Sequence, residues 1–94
     1  MELRFDWDEE KASRNVSKHG VDFEEAKTIF DDPLSVTIGD YQHSQEEDRY
    51  VDIGLSSNGQ LLVVVYTERG GVVRLISSRE ATSAERRTYE QGGF

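Results

Sequence analysis

The chain contains no cysteine and a single proline among its 94 residues. Disulfides, thiolate metal ligands and cysteine nucleophiles are thereby excluded. No apolar run approaches the roughly 18 residues a membrane helix needs. The start of the chain has no basic segment followed by an apolar stretch, so no secretory signal is expected. A cytoplasmic protein without a membrane association is the reading that follows. Histidine is scarce too, with only His19 and His43, and they do not share a metal-binding spacing. The carboxylates do not fit a calcium loop, so no metal and no cofactor are expected. Phosphate-loop and dinucleotide glycine patterns are missing, as is a nucleophile elbow.

What is present describes one small folded domain spanning 1–94. Hydrophobic residues make up 35% and charged residues 32%, and the apolar ones fall in short periodic runs rather than being diluted as in a disordered chain. The formal net charge is -8. On average such a chain repels nucleic acid and anionic membranes. Its distribution is uneven: residues 1–33 carry 5 basic and 10 acidic side chains, 34–68 carry 1 and 6, and 69–94 carry 5 and 3. All basic residues of the last segment are arginines, so a local cationic site belongs there.

The pattern along the chain predicts alternating strands and helices. Residues 3–7 alternate as a short strand. Asp8 caps a helix with a thin stripe of Ala12 and Val16, closed by Gly20. Asp22 caps a second helix burying Phe23, Ala26 and Phe30, which Asp32-Pro33 ends. Residues 34–38 and the alternation Val51, Ile53, Leu55 read as strands, with a polar loop over 39–48 between them. Asn58-Gly59 marks a hairpin turn. The continuous apolar run 61–66 predicts a central strand covered on both faces. A turn at 68–71 leads to a last strand over 72–78. Thr82 with Glu85 forms a capping box for a short final helix. The expected architecture is α+β: an antiparallel sheet of about four to five strands, two N-terminal helices on one face and a short C-terminal helix, in the order β-α-α-β-β-β-β-α. The opposite sheet face would be open to a ligand.

The polar residues left over are His43, Glu47, Arg49, Arg74, Arg79 and Tyr89. Arginine on a strand presents a planar fork of donors that fits phosphate oxygens; the bland alternative for each is a surface salt bridge. His43 suits proton transfer because its ordinary pKa lies near working pH, and Glu47 either orients it or serves as the base. Lys18 and His19 either contact phosphate or complement a helix C-terminus. Tyr89 either stacks on a base or packs its helix on the sheet. Parity raises a question: Arg49 alternates in phase with Val51 and Ile53. Arg74 and Arg79 have opposite parity, so they share a face only if the strand bends or ends between them.

Taken in order, these residues resemble a known family. Trp7-Asp8, Lys11, Asn15, Lys18-His19-Gly20-Val21, Phe23 and Ala26 are similar to the opening signature of the BrnT toxins of bacterial type II toxin–antitoxin systems. Asp32-Pro33, His43-Ser44, Glu47, Arg49, Gly54, residues 63–69, residues 74–79, Ala81-Thr82, Glu85-Arg86-Arg87 and Tyr89 resemble later family positions. The resemblance implies a RelE-like fold and a metal-independent endoribonuclease that inhibits translation by cutting RNA. In such chemistry a ribose 2′-hydroxyl attacks its own phosphorus and the 5′-oxygen leaves. It implies catalytic roles for His43, Glu47, Arg74, Arg79 and Tyr89, and RNA contacts from Lys18, His19, Arg49 and Arg86. It also implies a cognate BrnA-like antitoxin, a ribbon-helix-helix DNA-binding protein, with operator DNA reached only through that partner. The acidic surplus, including Glu80 beside Arg79, supports an alternative: a catalytically weak or inactive antitoxin-binding module acting as corepressor in a DNA-binding complex.

Overall fold

The computed structural model describes residues 3–39 and 49–92. Strand β1 (Arg4–Asp6) leads into helix α1 (Glu9–His19), helix α2 (Phe23–Ala26) and a 3-10 turn (Lys27–Asp31). Strands β2 (Val36–Gly39), β3 (Arg49–Leu55), β4 (Leu61–Arg69) and β5 (Val72–Glu80) follow, and helix α3 (Ser83–Glu90) ends the chain. The helix boundaries sit where the side chains dictate. Asp8 accepts hydrogen bonds from the Glu10 and Lys11 amides at 2.8 and 3.2 Å. Gly20 closes α1 at φ 72°, a left-handed conformation suited to glycine. Glu85 and Thr82 cap α3 reciprocally.

The five strands lie in the order β1-β5-β4-β3-β2. Neighbours among β2 to β5 are antiparallel, but β1 runs parallel to β5. The sheet is therefore mixed, not wholly antiparallel as the hairpin pattern suggests. Hairpins dictate their own pairing; β1 has none, and it docks where Phe5 and Trp7 reach the ring faces of Phe30 and Phe23, with centroids 5.3 and 5.8 Å apart.

β4 is central, as its apolar run predicts, and it feeds two clusters. Leu62, Val64 and Tyr66 face Val21, Phe23, Ala26 and Ile29 of the α1–α2 layer. Leu61 and Val63 join Ile53 on the other side, where Ala81 and Tyr89 pack over them. The helices thus divide between the faces: α3 covers one end of the face expected to be open. The helix after Asp22 also tightens into its 3-10 turn, which brings Ile29 into the core at 0% exposure. Each such fully buried aliphatic contributes about 1.5–3 kcal/mol. Gly54 permits this close approach, since a Cβ there would stand 2.9 Å from the Cβ of Ile29.

α1 departs from its expected stripe. Val16 is 46% exposed, and the buried residue is Asn15. Its amide donates to the carbonyls of Val21 and Ser78 at 2.9 and 2.8 Å, and its oxygen accepts from the Ser78 amide at 3.1 Å. β1 pairs with β5 only over Val72 to Arg74. Beyond that, no strand among the described residues lies on the outer edge of β5, and Asn15 supplies at Ser78 the donor and acceptor that a strand would have offered.

Candidate nucleic-acid interface

Alternation along β4 assigns sides to every strand paired with it. Leu62, Val64 and Tyr66 face α1 and α2, so Val63, Val65 and Thr67 face away. Thr67 lies opposite Arg49 on β3 and opposite Arg74 on β5, and Arg74 lies beside Asp6 on β1. A single row, Arg49, Thr67, Arg74, Asp6, therefore crosses four strands on the face away from α1. Arg49 does share its side with Val51 and Ile53; that side is the one opposite the N-terminal helices.

A bulge settles the second parity question. The β4–β5 register passes from Val65 opposite Ser77 to Tyr66 opposite Leu75, leaving Ile76 as the extra residue. Side-chain direction is thereby reset, and Arg74 and Arg79 fall on one face. They remain about 13 Å apart along the sheet, four residues at roughly 3.3 Å each.

The two arginines differ in their engagements. Arg74 is 50% exposed and gives one nitrogen, Nη1, to Asp6 at 2.6 Å, which leaves most of its donors for another anion. Arg79 gives Nη1 and Nη2 to the two Glu85 oxygens, both at 2.8 Å, and Nη1 also donates to the Glu80 carbonyl at 3.2 Å. These hydrogen bonds hold the Glu85 carboxyl down at about 2, and the Thr82 amide, donating at 2.9 Å, reinforces the effect. Arg79 thus clamps α3 to β5.

Tyr89 is engaged in the same way. Its ring lies over Ile53, Leu61 and Val63, and its hydroxyl donates to Asp32 at 2.7 Å. Asp32 also accepts from the amides of Leu34 and Leu55 at 2.9 and 2.8 Å. Burial and the Asp32 carboxylate raise the Tyr89 hydroxyl above its ordinary value. Tyr89 stands at the α3 end of the sheet, away from the Arg49–Arg74 row. Arg86 is exposed on α3. Lys18 and His19 occupy the last turn of α1, on the layer covering the other face. His43 and Glu47 lie outside the described residues; the flanking Gly39 and Arg49 end β2 and begin β3 at the arginine end.

Beside the row lies a cavity of about 430 Å³, lined by Asp6, Tyr50, Thr67, Glu68, Arg69, Val72 and Arg74. Of these, Arg74 alone is a candidate from the sequence; the other six are not. Thr67 and Arg69 meet Arg74 and Val72 through the β4–β5 hairpin, whereas Asp6 joins them only once β1 is placed on β5. Asp52 was missed as well. It is buried beneath the α1–α2 side and accepts from the Tyr66 hydroxyl at 2.8 Å. Desolvation raises its carboxyl above the ordinary range, against the opposing hydrogen bonds from Thr37 and Tyr66. Among the described residues no cluster of three His, Cys, Asp or Glu side chains is arranged to hold a metal ion. No helix among them is long and apolar enough to cross a membrane.

A small α+β domain that turns one arginine-bearing end of its sheet to solvent has the means to hold a polyanion. The comparisons with known proteins specify which such domain it is. The sequence model of the ribonuclease toxin BrnT of type II toxin–antitoxin systems matches residues 7–85, and the chain belongs to that family. A type II toxin implies a cognate antitoxin. The crystal structure of the Brucella abortus ribonuclease toxin BrnT is similar in fold, with a TM-score of 0.68 at 24% identity over 87% of this chain and 100% of that one. Among curated proteins none matches.

Proposed function

We propose that this ribonuclease toxin is a metal-independent endoribonuclease that inhibits translation by cutting RNA at the arginine end of its sheet. The observation that carries the reading is the row of Arg49, Thr67 and Arg74 on the sheet face that α3 leaves uncovered. The guanidinium groups of Arg49 and Arg74, on either side of the largely buried Thr67, supply donors for the phosphoryl oxygens as charge builds on them. A proton must leave the ribose 2′-oxygen as it attacks phosphorus, and a proton must reach the 5′-oxygen as its bond to phosphorus breaks. His43 is assigned to these transfers, with Glu47 as its orienting partner or as the base. Arg74 stabilises the phosphate and Arg49 supports it. Arg79 and Tyr89 act at one remove, by fixing α3; Arg86 contacts the RNA backbone outside the row, whereas Lys18 and His19, on the opposite layer, complement the C-terminus of α1. Neutralisation falls to a BrnA-like ribbon-helix-helix antitoxin, and operator DNA is reached through that partner in the cytoplasm.

One observation favours the corepressor reading: the Arg79 fork is fully matched by Glu85 and Arg74 is paired with Asp6. A single comparison separates the two readings. Purified wild-type protein, Arg74→Ala and His43→Ala are assayed on a single-stranded RNA with EDTA present, and each is expressed without antitoxin. The ribonuclease reading expects growth arrest and cleavage by the wild type, with rates lower by about 10²–10³ in each variant. Wild-type rates in both variants would remove the site, and no cleavage or arrest by any form would leave the corepressor.

A further inference from the structure

The exposed charge of the sheet face extends beyond the residues given a role above. On β1, Arg4 lies opposite Val72, and on β4, Arg69 lies opposite the same Val72 from the other side. Alternation puts both on the Thr67 face, one row beyond Arg49 and Arg74. Both are exposed. Neighbouring guanidinium groups among the four spring from Cα positions about 8–10 Å apart, set by strand spacing and a two-residue step along each strand. Asp6 is a carboxylate within these rows, and Glu68 lines the adjoining cavity. The second observation is the cavity of about 430 Å³, with Arg69 and Arg74 in its wall together with Asp6 and Glu68. The α3 end of the same face is closed by Ala81, Tyr89 and the Arg79–Glu85 clamp. A strand lying on this face can therefore continue away from α3, across Val72 towards Arg4.

We propose that Arg4 and Arg69 form a second phosphate subsite, which takes the backbone of single-stranded RNA next to the phosphate held by Arg49 and Arg74. This inference rests on the ribonuclease reading for its ligand. It adds that the site is a track several nucleotides long, read through phosphate charge and not through base identity.

The test measures binding by fluorescence anisotropy and cleavage on labelled single-stranded oligoribonucleotides of two, four and eight nucleotides, at several salt concentrations. Each phosphate contact on a single strand steepens the slope of log K against log salt by about 0.7. Arg4→Ala and Arg69→Ala are each expected to make the slope shallower by about that amount. The KM for the eight-nucleotide RNA should rise about ten-fold, and the loss should shrink as the substrate shortens to two. Arg4→Lys should keep the slope, since it keeps the charge. Thermal melts matching the wild type exclude a folding effect. Wild-type slopes and KM values in both alanine variants, with the parent still cutting RNA, overturn the track alone. A parent that binds with the steep slope yet never cuts supports the track and retires the ribonuclease reading.

Discussion

Replacing Glu85 with glutamine tests the idea that Arg79 is a clamp for α3 and not a free phosphate ligand. The perturbation is small in shape, and the amide oxygen can still accept from the Thr82 amide. It removes the charge that engages both guanidinium nitrogens at 2.8 Å. The Glu85 carboxyl is lowered from 4.5 to about 2, first by the Arg79 hydrogen bonds. A displacement of that size corresponds to ~3 kcal/mol. Arg79 is 41% exposed and Glu85 22%, and screening by water reduces the usable part to about 1–2 kcal/mol. For a domain of this length that is a fall in Tm of about 5–15 °C at pH 7, followed by circular dichroism. The sign with pH is fixed by a folded pKa below the unfolded one. The wild-type advantage is complete above about 4.5, falls to roughly half near pH 3, and vanishes as pH drops through about 2. Arg79→Gln should cost a similar amount, and the double variant little more than either single one, because the pair acts as a unit. A Tm gap that is absent at pH 7, or undiminished at pH 3, would refute the clamp. Strictly additive losses would do so as well.

Two further substitutions check the packing around the site. Ser78 is fully buried and its hydroxyl has no partner among the described residues, so Ser78→Ala should stabilise the domain by about 1 kcal/mol, seen as a higher urea midpoint. Asp52→Asn keeps an oxygen for the Tyr66 hydroxyl but removes a carboxylate whose pKa burial raises. With the folded value above the unfolded one, the cost of Asp52 appears as pH rises through the folded value. The variant should therefore gain on the wild type at pH 7 to 8 and match it below about pH 4; a gain that persists in acid would contradict the cause.

Local features of the chain were legible from the sequence. Asp8, Asp22, Gly20 and the Thr82–Glu85 box carry their own geometry within four residues, and the run through Val63 and Val64 needs burial on both sides wherever it lies. Long-range features were not legible. Nothing near Phe5 says that β1 lies parallel to β5, and nothing near Ile76 announces the bulge that turns Arg74 onto the face of Arg79. The role of Asn15 at the edge of β5 has no local signal, because its partner Ser78 is 63 residues away. Tyr89 and Arg79 read equally as ligands or as packing until the carboxylates of Asp32 and Glu85 were placed. For Arg4 and Arg69, the chemistry was visible and the company was not: an arginine becomes part of a site through its neighbours on a sheet face, and those are chosen by topology.

The same segregation explains how a chain of net charge -8 can hold an anion. Glu9 and Glu10 stand in the first turn of α1, and Glu24 and Glu25 in the first turn of α2. There they complement the positive ends of the helices. Their acidity serves the fold, on the layer across the sheet from Thr67. At physiological salt the Debye length is about 8 Å, whereas the molecule measures 31 × 30 × 28 Å. A phosphate at the Arg49–Arg74 row is thus governed by the guanidinium groups it touches and only weakly by carboxylates on the far side. The net charge acts at longer range, on the approach of RNA and of partners. Under the ribonuclease reading, an acidic helical layer repels the polyanion while attracting a basic protein segment, so the net sign is compatible with RNA on one face and a basic partner on the other. The acidic surplus alone is consequently no argument for an inactive corepressor; that reading has to rest on the pairing of Arg74 with Asp6, where a single exposed carboxylate competes with a phosphate for one guanidinium group.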